Sequence, residues 1–185
     1  MIKIISYIKA RLRKFILEEK WLDDYINMGM KVGSNCSIHP GVIFDYSHCW
    51  MINIGNNVTI APQAYLLAHD ASTKKLINYT KIGSITIEDN VFIGARALIM
   101  PGVTIGENSI VAAGAIVTKN VPPNTVAAGI PAKVVSTIEE YVEKNKKLLE
   151  NCDIYDNNHT IRGNISIENK KKMYEKLISQ VGFIQ

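Results

Sequence analysis

From Ile87 to Val117 an aliphatic residue recurs at every sixth position without a slip: Ile87, Ile93, Ile99, Ile105, Val111 and Val117. Small or β-branched residues stand four positions after each, at Val91, Ala97, Val103, Ser109, Ala115 and Val121. Neither the 3.6-residue period of a helix nor the two-residue period of a single strand gives this spacing. A period of six requires a short strand, a corner and another short strand. Three such sides return the chain to its start after about 18 residues, one strand spacing of about 4.8 Å above itself. Aliphatic residues then fill a triangular prism and stack coil upon coil. Corners need residues that tolerate left-handed backbone, and Asn56-Asn57, Asp89-Asn90, Gly102 and Glu107-Asn108 supply them. The spacing predicts an all-β solenoid, a parallel β-helix, over residues 32–135. It does not fix the hand, and the general rule for parallel crossovers favours right-handed connections.

The repeat breaks twice. Residues 44–51, Phe-Asp-Tyr-Ser-His-Cys-Trp-Met, replace the small-residue pattern. Leu66 and Ile87 are 21 positions apart, which is not a multiple of six, so residues 70–84 must leave the prism as a loop. Solenoids add function at such interruptions. The flanks have a helical texture. In residues 1–31, Ile4, Ile5, Ile8, Leu12, Phe15 and Ile16 fall at spacings of three and four, predicting a helix laid over the end or side of the prism. The basic residues between them admit a second reading, a helix on an anionic membrane surface, but membrane contact is not the expectation. In residues 136–185, Ile138 to Leu149 suggest one helix, and Met173, Tyr174, Leu177, Ile178 and Val181 suggest another. The polar stretch Asp153–Asn164 joins them, Lys170-Lys171-Lys172 forms a solvated face, and the tail serves as a packing cap or steadies a trimer.

Composition narrows the partners. Against 17 Asp and Glu stand 21 Lys and Arg, a net charge of +4, with no basic patch interleaved with aromatics, so nucleic acid is not expected. No apolar run is long enough to span a membrane, and lysines and arginines interrupt the N-terminal apolar residues where a signal peptide would need an unbroken core. Cys36, Cys49 and Cys152 are odd in number and form no CxxC, which points to neither disulfides nor a zinc site, and to a cytoplasmic location.

The [Ile/Val]-[Gly/Ala]-x-x-[small]-x repeats end in Val111-Ala-Ala-Gly-Ala-Ile-Val-Thr-Lys-Asn-Val-Pro-Pro-Asn-Thr-Val-Ala-Ala-Gly-Ile-Pro-Ala-Lys133. Over residues 32–135 the chain resembles the hexapeptide-repeat acyltransferases, above all the galactoside/maltose and polysaccharide O-acetyltransferases. The resemblance implies a left-handed coil, acetyl-CoA as co-substrate without a required metal, and a homotrimer whose sites lie between neighbouring prisms. An apolar outer face around Tyr65, Phe92, Leu98 and Met100 fits such an interface.

Four histidines bound the search for a base. His159 falls in the polar connection and reads as exposed, and His39, before Pro40, reads as a corner residue. His69 closes the regular coil directly before the loop, where the resemblance places the catalytic histidine of galactoside-type enzymes. An acceptor hydroxyl is a weak nucleophile at neutral pH, whereas a thioester is already activated. An imidazole, with an ordinary pKa near ~6.5, can take the hydroxyl proton as attack proceeds. The oxyanion then needs a donor, a backbone N–H or an ordered water. Direct transfer in a ternary complex needs no nucleophilic Ser or Cys. Asp45 would orient the imidazole or hold an acceptor hydroxyl, His48 competes for the same place, and Trp50 would stack on a sugar or lie buried beneath the loop. For coenzyme A the resemblance implicates Gly94, Ala95, Ala113, Thr118, Lys119 and Lys133, with Arg96 a further phosphate contact; corner packing explains the small residues equally well. No GxxxxGK[ST] phosphate loop is present.

These residues predict an acetyl-CoA-dependent O-acetyltransferase acting on a hydroxyl of a sugar or polysaccharide precursor. Acetylation of a streptogramin- or chloramphenicol-type antibiotic, N-acetylation of an amino sugar and a non-enzymatic binding scaffold are the alternatives. A zinc enzyme of the γ-carbonic anhydrase kind would need a third well-placed histidine.

Overall fold

The computed structural model describes residues 20–185. The expected N-terminal helix lies largely outside them. What is described is α1 (Leu22–Asn27), whose Leu22 and Tyr25 pack on the core and whose Tyr25 ring meets Phe44 edge-on, 5.3 Å between centroids. Met30, directly after it, is buried.

The chain then visits three sheets in rotation. The first coil is β1 (Lys31–Val32), β2 (Ser37–Ile38) and β3 (Ile43–Phe44), and the second is β4 (Ile52–Ile54), β5 (Thr59–Ile60) and β6 (Tyr65–Leu66). An excursion follows, with β7 (His69–Asp70), α2 (Lys74–Ile77) and β8 (Lys81–Ile82). The third coil is β9 (Ile85–Ile87), β10 (Phe92–Ile93) and β11 (Leu98–Ile99), and the fourth is β12 (Thr104–Ile105), β13 (Ile110–Val111) and β14 (Ile116–Val117). The first sheet runs β1-β4-β9-β12 and the third β14-β11-β6-β3, parallel throughout. The second takes in β15 (Thr125–Gly129) and ends on an antiparallel β16 (Ala132–Thr137).

Register accounts for both breaks. Stacked residues in the last full coils are 18 apart, as in Ile87 with Ile105 and Ile93 with Val111. Across the excursion they are 33 apart, as in Ile60 with Ile93, and the difference is the length of residues 70–84. Between the first two coils they are 22 apart, because the corner after Phe44 carries four extra residues. The six-residue frame is therefore kept, and both insertions fall at corners between the third and first sheets.

Ile54, Ile87 and Ile105 stack along one interior wall, Ile60, Ile93 and Val111 along the second, and Leu66, Ile99 and Val117 along the third, all buried. Packing small residues four places on (Ala97, Ala115, Val91, Val103) between them fills the prism at interior density. Tyr65 and Leu98 do face outward on the third sheet, but Phe92 belongs to the second, so the expected apolar patch does not lie on one face. The direction of each side is set by its own corner, which the spacing alone cannot resolve.

The chain divides into two compact units, Met1–Ile138 and Glu139–Gln185. The second holds most of α3 (Ile138–Leu149), then β17 (Ile154–Tyr155), α4 (Ile167–Leu177) and β18 (Phe183–Ile184), with β17 and β18 pairing in parallel. Ser166 caps α4 by accepting the Asn169 N–H at 3.1 Å. Val181, read as helical from its spacing, lies beyond the end of α4. Lys171 and Lys172 lie exposed and pair along the helix with Glu175 and Glu168, as a solvated face would. Among the described residues no helix is long and apolar enough to cross a membrane.

Candidate active site

Both insertions meet at one corner, and the meeting brings Asp45 to His69. Phe44 is held in β3 with its side chain in the core, so Asp45 turns the corner directly after it. Asp45 is 1% exposed. One carboxylate oxygen, Oδ1, accepts the backbone N–H of Ser47 at 2.9 Å and of His48 at 3.2 Å. The other, Oδ2, stands 2.5 Å from His69 Nδ1. A buried carboxylate is costly unless its oxygens are hydrogen-bonded, and here three donors converge on it. His69 itself, at the start of β7, keeps 30% of its side chain exposed.

This contact selects a tautomer for the neutral His69 ring. A carboxylate can only accept, so Nδ1 carries the proton toward Asp45 and Nε2 presents a lone pair. The pair is an oriented imidazole base with an open nitrogen. Of the two residues read as partners for His69, Asp45 takes the place and His48 does not. The His48 ring lies 5.4 Å from that of His69 and 5.3 Å from that of Trp50, centroid to centroid. Its Nδ1 is buried with no hydrogen-bond partner among the described residues. Trp50 is 55% exposed, so it does not lie beneath the loop.

The thiol and phenol nearest the pair are held neutral, while hydrogen bonds from Ser72 lower the Asp70 carboxyl beside His69. Burial raises the Cys49 thiol, whose sulfur is fully enclosed, and a protonated thiol is a poor nucleophile. Burial, with the Asp45 charge behind it, raises the Tyr65 phenol. One ligand atom each of Asp45, His48 and His69 lies within 4.8 Å of the others. A divalent ion could use the two imidazoles, but to gain the carboxylate it would have to replace the Asp45–His69 bond.

The residues assigned to coenzyme A fall in three places. Thr118 and Lys119 follow β14 as Leu67 follows β6, so they stand at the same corner column as His69, two coils further on. Ala95 and Ala113 stand at the adjacent corner, between the second and third sheets, with Gly94. A Cβ on Gly94 would lie 2.4 Å from the Ala113 backbone nitrogen, so close stacking already requires this glycine. Between these two corners the third sheet turns Ile43, Tyr65, Leu98 and Ile116 outward. Lys133 is exposed on β16, opposite Ala128. Arg96 is engaged, its Nε donating to Gln63 Oε1 at 2.7 Å. His39 is an exposed corner residue beside Ser37. His159 is half-buried rather than exposed, because Asp156 Oδ1 holds its Nδ1 at 2.7 Å.

Sequence reading missed the part played by the backbone of Ser47 and His48. An Asp followed by Ser two places on is the mark of a side chain that accepts its own downstream amides, and that mark stands at Asp45-Tyr46-Ser47.

The family model described as a hexapeptide repeat of succinyl-transferase matches residues 84–119. A Bacillus subtilis protein named "Putative acetyltransferase YvoF" is 37% identical over 141 residues, covering 76% of this chain and 79% of its own. The galactoside O-acetyltransferase of Escherichia coli is 39% identical over 132 residues, which cover 59% of this chain and 64% of that enzyme. A Schizosaccharomyces pombe relative is 47% identical over 92 residues, 48% of this chain, and the match spans 44% of its length. The chain thus spans less than two thirds of these last two relatives. A galactoside acetyltransferase solved in complex with coenzyme A aligns with a TM-score of 0.52 at 31% identity, over 74% of this chain and 82% of that one. With its six-residue frame, its three parallel sheets and these relatives, the chain belongs to the family of hexapeptide-repeat acetyltransferases.

Proposed function

We propose that the protein is an acetyl-CoA-dependent O-acetyltransferase whose acceptor is a hydroxyl of a sugar or polysaccharide precursor, with His69 as general base and Asp45 as the residue that orients it. The observation that carries this reading is the Asp45–His69 contact, in which the carboxylate takes up Nδ1 and leaves Nε2 of a part-exposed ring to act as the base. The acceptor hydroxyl gives its proton to Nε2 as its oxygen attacks the thioester carbon. The tetrahedral intermediate then expels the coenzyme A sulfur, which takes that proton from Nε2. The raised thiol of Cys49 argues against an acyl-enzyme. A sugar acceptor is supported by the names of the galactoside relatives and by the exposed Trp50, an aromatic platform suited to a pyranose.

In this reading the coil is left-handed, as in its family, and the protein is a cytoplasmic homotrimer. Coenzyme A lies along the outer face of the third sheet, between the Gly94–Ala95–Ala113 corner and the Thr118–Lys119 corner, with Lys133 toward its phosphates. Thiol release from acetyl-CoA, measured with a panel of sugars, nucleotide-sugars, amino sugars and antibiotics, tests it. Release dependent on a hydroxyl sugar is expected, and His69→Ala is expected to lower kcat about 10²–10⁴-fold with the circular dichroism unchanged. Turnover that survives His69→Ala removes His69 from the mechanism. Preference for an amine or an antibiotic redirects the acceptor assignment.

A further inference from the structure

Two imidazoles face one another at this corner, and only one is accounted for by the base. The Nδ1 of His48 is buried and unpartnered, and it does not cap the short turn that His48 begins. A neutral imidazole has one N–H and one lone pair. Burying an unpaired N–H forfeits a strong donor, whereas an idle ring lone pair is the milder loss. The lone pair therefore belongs on Nδ1 and the proton on Nε2. The neighbouring charges point the same way. Asp45 is buried and His69 Nδ1 already holds its Oδ2, while the neighbouring carboxylate, Asp70, accepts the Ser72 N–H with its Oδ1 at 2.9 Å. When His69 becomes an imidazolium during attack, a second cation 5.4 Å away would be repelled. Of the other titratable groups here, Cys49 and Tyr65 are held neutral by burial, whereas hydrogen bonds from Ser72 lower the Asp70 carboxyl and keep it charged beside His69.

We propose that His48 is the oxyanion donor of the reaction, a neutral imidazole whose Nε2–H bonds the thioester oxygen as it gains charge. This rests on the acetyltransferase reading above. A ring nitrogen of each histidine lies within 4.8 Å of one on the other, and the ring centroids are 5.4 Å apart, so the two rings border one space. His69 Nε2 accepts the hydroxyl proton while the carbonyl π pair moves onto oxygen, which takes the His48 hydrogen bond. As that pair returns, the C–S bond breaks and the sulfur receives the proton from His69. No proton leaves His48.

The test uses the full chain with acetyl-CoA and the best acceptor of the panel. His48→Phe is expected to lower kcat about 10²–10³-fold, the cost of one oxyanion donor, with KM little changed and the shape of the pH profile the same as in the wild type. His48→Gln, whose amide can donate from a similar place, is expected to recover part of the loss. Wild-type kcat in His48→Phe, or a loss confined to KM, overturns the assignment. Nitrogen-15 NMR of the imidazoles reads the tautomer without turnover: Nε2–H on a neutral His48 at pH 7 is expected, and an Nδ1–H or imidazolium form overturns the proposal. If the wild type releases no thiol with any acceptor, the acetyltransferase reading fails instead, and the NMR result stands apart from it.

Discussion

At the scale of the residue, the charge on Asp45 does two separable things. Its Oδ1 ties down the Ser47 and His48 amides, and its Oδ2 fixes which nitrogen of His69 carries the proton. Asp45→Asn keeps the shape but not the second effect. With the amide oxygen still accepting from the backbone, its NH2 would face His69 and force the ring to accept at Nδ1, which protonates Nε2 and abolishes the base. A fall in kcat of about 10²–10⁴-fold is expected, with thermal stability close to wild type; an Asp45→Asn enzyme of normal kcat would show that the tautomer does not matter. Asp45→Ala is expected to fail differently, losing about 1–3 kcal/mol of stability as buried amides go unpaired, read from urea midpoints. His69 was legible in the sequence because it stands where the frame is interrupted. Its partner was not uniquely legible: Asp45 and His48 are three apart, and choosing between them depends on which one the corner turns inward.

At the scale of the element, the corners between the first and second sheets carry the fold's specificity. Asn57, Asn90 and Asn108 sit in left-handed backbone, at φ of 54°, 58° and 57°. Asn57 Nδ2 also donates to Asn90 Oδ1 at 3.1 Å, so the residues that permit the turn bond from coil to coil. Asn90→Ala is expected to cost about 1–2 kcal/mol for the left-handed backbone alone, in addition to that bond, whereas Asn90→Gly should lose only the bond. Equal midpoints for the two would show that backbone strain plays no part. Beside this ladder, hydrogen bonds from the Asn56 backbone and side chain lower the Asp89 carboxyl below its ordinary value. A lowered folded-state pKa contributes stability above the unfolded value and loses it as pH falls through the folded one. Urea midpoints should therefore drop as pH falls from about 5 through the ordinary Asp value near ~3.9 and below it, and Asp89→Asn should drop less; an identical slope in both would exclude Asp89 as a contributor. These corners were read correctly because Asn and Gly stand out in a six-residue frame. The excursion was read only as a loop, since its pairing of His69 with Ile82 and Asp70 with Lys81 spans too few residues to leave a pattern.

At the scale of the molecule, the two units differ in what holds them. The buried apolar residues run from Met30 to Ala127, and none belongs to Glu139–Gln185. The spacing that made the coil legible is the same repetition that stacks its core, so fold and stability are written in one pattern there. The tail has no such repetition, and its sequence disclosed two helices while giving no sign of the β17–β18 pair that flanks α4. That unit is held by partly covered contacts, by Asp153 bonding Lys176 at 2.9 Å and Gln180 at 3.1 Å, and by the Ser166 cap. Exposed ion pairs are worth little, typically ~0–1 kcal/mol each, whereas each buried Ile or Leu side chain in the coil contributes about 1.5–3 kcal/mol. Hydrogen exchange measured against urea should therefore show amides of α3 and α4 opening at low denaturant, well before those of β10 to β13, which should open only with global unfolding. Protection of the tail that persisted until the coil itself unfolded would show that the two units open as one.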